Sequence, residues 1–233
     1  NYLSKIHGVH VANIGIDRKE IALRGLNQPL NNELLVLNDF LPQWSASDGN
    51  FVYNARPIPS IDLERIEIIR GGLGPTYGPG AVYGVVHFVS QSPFNSPGTS
   101  IQINSGSRNY FGTAFRHADV FGEKENWAYK LVGEFTSGND WELDKNDPDD
   151  FQLIAGDINP RNYLSQKARL KGEVRCRFGK NKKSELINTS SYTHSKFLLT
   201  APDAIQVNGT ELFINQLRFR SGGFWVQGSV SQA

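Results

Sequence analysis

The sequence predicts a small mixed α/β domain over residues 1–97, followed by antiparallel strands of a transmembrane β-barrel over residues 98–233. Three observations lead to this prediction. The first part consists of short apolar runs separated by turn-forming residues. The second part alternates polar and apolar residues over lengths that suit membrane strands. Its connections also alternate between short turns and long loops, which is the layout of an outer-membrane barrel.

The first part contains five apolar runs, which we interpret as strands or parts of strands, at residues 8–14, 20–23, 34–37, 66–69 and 82–89. The run at 34–37 is apolar on both faces and therefore suits a strand that is covered on both sides. Residues 60–64 predict one helical turn capped by the Ser60 side chain. The glycines between Gly71 and Gly80 permit tight turns. No Gly-Lys-Ser/Thr follows them, so a nucleotide-binding loop is not indicated.

The second part shows its clearest alternation between Ala168 and Phe178. Every even position there is apolar or small, and every odd position from Arg169 to Arg177 is charged. This period of two predicts a strand, because a helix would scatter the charges around its circumference. At about 10 residues per strand, the second part supplies six to seven strands. The candidates are 99–106, 109–119, 127–137, 164–178, 184–196, 212–220 and 223–231.

The connections in the second part predict two different ends of the sheet. Residues 179–184 and 221–223 are short polar turns, whereas residues 138–162 and 195–210 are long and polar. A soluble β-sandwich with uneven loops is the alternative interpretation of this half. The chain contains no methionine and starts and stops within strand-like runs. We therefore expect it to be part of a longer protein.

The composition excludes several classes of function. With 24 basic and 23 acidic residues the formal net charge is +1, which gives no reason to expect a nucleic-acid partner. The single cysteine, Cys176, excludes an intramolecular disulfide. The histidines are scattered without ligand spacing, so the sequence predicts no metal site and no cofactor. We also find no arrangement of nucleophile and base that indicates an enzyme.

Four segments of the first part, in order, resemble the plug-domain signature of TonB-dependent outer-membrane receptors. The last of the four segments spans residues 63–90. Its parts at 63–71, 74–78 and 81–90 resemble the Arg-Gly strand, the Leu-Tyr-Gly turn and the Gly-Val-Ile-Asn strand of the signature. Residues 3–11, 21–25 and 34–39 resemble three earlier segments of the same signature. The sequence departs from the family pattern at His7, Phe40, Gly72, Thr76 and His87.

The resemblance implies a plug with a small mixed sheet inside a barrel of about 22 strands. It further implies uptake of a scarce, bulky ligand across the bacterial outer membrane: a ferric siderophore, cobalamin, haem or a glycan. The implied partners are TonB, through a box outside this chain, outer-membrane lipid and lipopolysaccharide, the ligand, and a surface lipoprotein or other subunits. Two alternatives are a non-transporting plug or scaffold within a larger assembly and a soluble β-rich binding module.

The resemblance also implies roles for individual residues. The candidates for ligand contact lie in plug loops, where packing against the barrel wall is the alternative: Asn27, Gln28, Trp44, Asn50, Tyr53 and Asn54. Arg24 and Arg70 are expected to pair with glutamates of the inner barrel wall, beyond residue 233, because buried charges require partners. Solvated surface charge is the alternative for Arg24 and Arg70, and Arg65 and Glu67 are further candidates for such pairs. The signature turn comprises Gly71, Tyr77, Gly78 and Gly84.

Overall fold

The computed structural model describes residues 3–16, 18–23, 34–43, 58–144, 146–148, 163–199 and 205–232. Up to residue 90 the strands are short. They are β1 (Val9–Gly15), β2 (Arg18–Leu23), β3 (Leu34–Asn38), β4 (Leu41–Pro42), β5 (Leu63–Arg70) and β6 (Gly84–Ser90). One short helix, α1 (Gly74–Tyr77), lies between β5 and β6. In the described residues, the expected α/β character thus rests on this helix and a few 3-10 turns.

The first part forms two sheets. β1 and β2 form an antiparallel pair, and a four-stranded mixed sheet has the order β4-β3-β6-β5, in which only β3 and β6 run parallel. All five residues of β3 are buried, which confirms the prediction of a strand covered on both sides. One face packs Leu34 and Val36 against Val86, and the other packs Leu35 against Val85.

Glycine is required at Gly84, where β6 begins. Its φ is +156°, and a Cβ at this position would clash with the carbonyl oxygen of Ile69. The predicted cap at Ser60 is wrong. The 3-10 turn Ser60–Asp62 follows Pro59 and has no side-chain cap. The Ser60 hydroxyl instead donates to Glu134 Oε1 at 3.5 Å, because the turn lies against the second part of the chain.

The second part is one seven-stranded antiparallel sheet, which we call the wall sheet. It contains strands β7 (Gly98–Gly106), β8 (Tyr110–Phe121), β9 (Trp127–Asn139), β10 (Leu164–Phe178), β11 (Ser184–Leu199), β12 (Ile205–Ser221) and β13 (Phe224–Gln232). Each strand pairs with the next one in the chain, in the order β7 to β13. All seven predicted strands are confirmed.

The predicted long loop at residues 195–210 is wrong. β11 continues to Leu199, β12 begins at Ile205, and Phe197 pairs with Val207. A ladder needs only backbone donors and acceptors, so a polar segment can extend a hairpin. The other long connection, between β9 and β10, and the short turns after β10 and β12 are confirmed. We call the two ends of the wall sheet the long-loop end and the short-turn end.

The wall sheet has one apolar face and one polar face. The face turned away from the first part of the chain exposes large apolar side chains, among them Phe115, Phe135, Leu170, Val174 and Leu217. The opposite face carries the charged residues of β10, as the alternation predicts. An outward apolar band over a polar interior is typical of outer-membrane strands.

None of the helices in the described ranges is long and apolar enough to span a membrane.

Candidate functional site: the interface between plug and wall sheet

The polar face of the wall sheet presents its side chains in cross-strand rows. Lys130, Glu173, Thr189 and Gln216 lie directly opposite one another on β9, β10, β11 and β12. Side chains two residues apart on a strand point to the same face, so the neighbouring rows also face the first part of the chain. These rows contribute Arg116 and Lys171 on one side and Arg175 and Arg218 on the other.

Asp62 meets three cations of the wall sheet. The 3-10 turn before β5 places its carboxylate against the sheet, where the side chain is fully buried. Lys130 Nζ donates to both oxygens, at 3.1 and 2.9 Å. Lys171 Nζ donates to Oδ2 at 3.1 Å, and Arg116 Nε donates to Oδ1 at 3.1 Å. One carboxylate therefore ties together three adjacent strands.

Asp39 lies in the turn between β3 and β4 and is held in the same way. Its Oδ2 accepts from Lys171 Nζ at 3.1 Å and from the Ser90 hydroxyl at 2.7 Å, and its Oδ1 accepts from the Ser90 amide at 2.9 Å. Burial by itself would raise the pKa of Asp39. The charges of Lys171 and Lys130, with smaller contributions from other groups, outweigh it and hold the pKa well below its usual range. The carboxylate is therefore ionised.

Glu173 is the third buried carboxylate. It accepts a hydrogen bond from Arg175 Nε at 2.6 Å and lies 3.7 Å from Lys130 Nζ. We use the name interface network for the eight charged residues Asp39, Asp62, Arg116, Lys130, Lys171, Glu173, Arg175 and Arg218. Five cations face three carboxylates in this network, so it has an excess of positive charge.

The turn after β3 also docks through its backbone. Gln216 Nε2 donates to the Asp39 carbonyl at 3.0 Å, and Gln227 Nε2 donates to the Phe40 carbonyl at 3.4 Å. Asp39 and Phe40 have φ values of 46° and 69°. A two-residue hairpin turn with both values positive normally carries glycine at its second position. Phe40 takes this conformation with its ring between His87 and Trp225, at centroid distances of 4.5 and 5.9 Å.

His87 supports this turn from inside the mixed sheet. Its Nε2 accepts from the Phe40 amide at 3.1 Å, and its Nδ1 lies 3.1 Å from Glu67 Oε2. An acceptor at Nε2 requires the neutral ring with its proton on Nδ1, which then donates to Glu67. Burial lowers the pKa of His87 and favours the same neutral form.

In the described salt bridges between the two parts of the chain, the cations come from the wall sheet and the carboxylates come from the first part. The pairs predicted for Arg24 and Arg70, with glutamates beyond residue 233, stay predictions. Arg65 pairs with Glu64 at 2.7 Å and with Glu67 at 2.8 Å, within its own strand. Arg70 is exposed at the end of β5, so its pairing with a wall glutamate stays a prediction.

The remaining predicted site residues divide into two groups. Gly71 and Gly78 of the signature turn have φ values of +116° and +89°, which explains why glycine stands there, and Tyr77 between them is exposed. The other group lies outside the described residues, and its roles stay predictions: Arg24, Asn27, Gln28, Trp44, Asn50, Tyr53 and Asn54.

A small mixed-sheet domain is thus fastened by buried charges to the polar face of an alternating antiparallel sheet. This is the arrangement that the resemblance to plug-and-barrel membrane receptors implies. The family model for the TonB-dependent receptor plug domain matches residues 1–85. The ferrichrome outer membrane transporter/phage receptor of Escherichia coli (strain K12) is 34% identical over 91 residues, which are 39% of this chain and 12% of that protein.

The vitamin B12 transporter of Vibrio cholerae serotype O1 is 27% identical over 136 residues, which are 58% of this chain and 22% of that protein. The chain thus spans less than a quarter of either relative. The FrpB iron transporter from Neisseria meningitidis has the same fold over 99% of this chain and 37% of its own, with a TM-score of 0.67 at 13% identity. The copper transporter OprC matches 99% of this chain and 34% of its own, with a TM-score of 0.66 at 18% identity. Residues 1–85 thus match the plug-domain family of the TonB-dependent receptors, and the chain is similar to outer-membrane transporters and receptors of that class.

Proposed function

We propose that this chain takes part in TonB-dependent uptake of a bulky ligand across the bacterial outer membrane. Similar proteins are named as a ferrichrome transporter, a vitamin B12 transporter and a ferrioxamine receptor. A ferric siderophore or a cobalamin is therefore the preferred ligand class. In the proposed arrangement, residues 1–97 are the plug and residues 98–233 supply the first seven strands of a barrel of about 22 strands.

The observation that carries this proposal is the interface network. A plug that only filled the lumen would need no specific bonds, whereas Asp62 is bound by Lys130, Lys171 and Arg116 of three strands. In the proposal, the network fixes the docked position of the plug, and TonB supplies the work that releases it. Ligand contact is assigned to the loops that contain Asn27, Gln28, Trp44, Asn50, Tyr53 and Asn54.

Uptake by cells tests the proposal. The gene for this chain is deleted in its host, and accumulation of radiolabelled ferrichrome, ferrioxamine, haem and cyanocobalamin is measured under iron or cobalamin starvation. We expect accumulation of one of them to be lost, and to return when the gene is supplied on a plasmid. A second strain that lacks TonB should show the same loss, because the proposed transport depends on energy coupling.

Two results would contradict the proposal. Undiminished uptake of all four compounds in the deletion strain would favour the non-transporting scaffold. Uptake that is lost in the deletion strain but retained in the strain that lacks TonB would favour a passive pore.

A matched control is the plasmid-borne variant Glu64→Gln, because Glu64 is exposed and pairs only with exposed Arg65 in the described contacts. It should restore uptake fully.

A further inference from the structure

A cavity lies between the plug and the wall sheet at the short-turn end, with a volume of about 280 Å³. Its wall side is formed by the last inward-facing residues of β10 and β12. Its plug side is formed by the turn after β3, the start of β5 and the segment that follows β6. The side chains that matter here are Arg65, Ser92, Arg175, Arg177, Arg218 and Arg220.

Arg218 reaches this cavity with unused hydrogen-bond donors. The residue is 6% exposed, and its Nη1 lies 3.4 Å from the Asp39 carbonyl oxygen. Among the residues that the structure describes, Nε and Nη2 have no hydrogen-bond partner. The carboxylate of Glu173 approaches Nη2 only to 3.8 Å. Because buried donors are nearly always satisfied in folded proteins, a buried guanidinium in this state indicates a missing acceptor.

Ser92 supplies a donor from the opposite side. It is 8% exposed and lies two residues after the end of β6, on the plug. Its hydroxyl has no hydrogen-bond partner within the described ranges. The cavity is therefore approached by a free guanidinium edge from the wall sheet and by a free hydroxyl from the plug.

Five arginines line the cavity, and Arg218 differs from the other four in its partners. Arg177 and Arg220 contact Glu185 at 3.1 and 2.6 Å, Arg175 contacts Glu173 at 2.6 Å, and Arg65 contacts Glu64 at 2.7 Å. Arg218 has no carboxylate within hydrogen-bond distance in the described structure. An anion with several acceptor oxygens would complete its hydrogen bonds.

We propose that this cavity binds a small oxyanion of the phosphate class, which bridges Arg218 of the wall sheet and Ser92 of the plug. The anion accepts from Nε and Nη2 of Arg218 on one side and from the Ser92 hydroxyl on the other. Bound there, it adds a link between plug and wall sheet and stabilises the docked plug by mass action. The inference makes no use of the transported ligand, so its failure would leave the proposed uptake unaffected.

Calorimetric titration of the detergent-solubilised receptor with inorganic phosphate, at constant ionic strength set by chloride, tests this site. We expect saturable binding of one phosphate per chain. Ser92→Ala should weaken it roughly ten- to a hundred-fold, the effect of one hydrogen bond to a charged group. Arg218→Gln should abolish it. Lys180→Gln, which removes an exposed charge from the nearby β10–β11 turn, should bind as the wild type does.

Absence of saturable phosphate binding to the wild type would overturn the proposal, as would unchanged binding by both Ser92→Ala and Arg218→Gln. If Arg218→Gln does not fold, Ser92→Ala decides alone, because its hydroxyl makes no bond in the described structure that could be lost. Glycerol 3-phosphate is titrated in parallel. Tighter binding of this ester than of inorganic phosphate would support a lipid-headgroup source, and the reverse order would support free phosphate.

Discussion

Replacement of Asp62 by asparagine should loosen the plug while leaving the barrel strands paired. Asp62 is fully buried and accepts hydrogen bonds from Lys130, Lys171 and Arg116. Asparagine keeps the shape but removes the charge, so the five cations of the interface network are left with two carboxylates. Breaking a buried charge pair in this way costs about 3–5 kcal/mol. At about 1.4 kcal/mol per tenfold, the opened plug should become roughly a hundred to several thousand times more populated.

The opening of the plug can be followed with a thiol. Ala81 is buried in the plug, and Cys176 is the single native cysteine. Ala81 packs against Leu35, Leu37 and Val85, so in a Cys176→Ser background Ala81→Cys reacts with a maleimide only when the plug opens by unfolding. Its labelling rate over a urea series reports the free energy of this opening. Heat-modifiable migration on a gel checks that the barrel itself remains folded in every variant.

Glu64→Gln is the matched control for this experiment. It removes a carboxylate two residues away whose partner Arg65 is half exposed, and such surface pairs contribute about 0–1 kcal/mol. A second comparison combines Asp62→Asn with Lys130→Met. Removing one of the cations that lost its partner should recover part of the lost stability, because most of the cost comes from unpaired buried charge. Equal labelling rates for Asp62→Asn and Glu64→Gln would refute the proposed role of the network.

Two further outcomes are expected. Because burial holds the pKa of His87 below its ordinary value of 6.5, the unfolded plug binds the proton more tightly than the folded plug does. The free energy of opening should therefore be highest above pH ~6.5, fall as the pH drops below that value, and level off once His87 is protonated in the folded plug. His87→Gln should remove this pH dependence. A wild-type-like pH profile in that variant would show that His87 is not its source. Gly84→Ala should destabilise the plug by at least ~1–3 kcal/mol, since its methyl group meets the Ile69 carbonyl at a φ of +156°. Urea denaturation measures that loss, and an unchanged midpoint would show that the backbone there relaxes freely.

Strand positions were predictable because each barrel strand encodes its own two faces. In β10 the alternation between Ala168 and Phe178 fixes which residues face outward, whatever the strand packs against. The extension of β11 to Leu199 was missed, since a hairpin beyond the apolar band needs only its backbone ladder. The alternation of polar and apolar residues stops before the strand does.

The sequence did not predict which side of the interface network supplies the cations and which supplies the carboxylates of the plug. Asp62 looks like an ordinary acidic residue of a helical turn, and Asp39 looks like a turn residue. Their burial follows from a contact with Lys130 and Lys171, which lie 68 and 132 residues further along the chain respectively. One signal was present in β10. Its odd positions carry five basic residues and one acidic residue, an excess that requires carboxylates from elsewhere.

The polarity of the interface has a consequence for ion conduction. Among the described residues of β8–β12, basic side chains on the inner face outnumber acidic ones, with Arg116, Lys130, Lys167, Arg169, Lys171, Arg175, Arg177, Arg218 and Arg220 against Glu134, Glu173 and Glu185. The carboxylates of Asp39 and Asp62 act as counterions that belong to the plug and leave with it. Displacement of the plug would therefore turn this side of the lumen into a cationic surface, and rings of lysine and arginine favour the passage of anions.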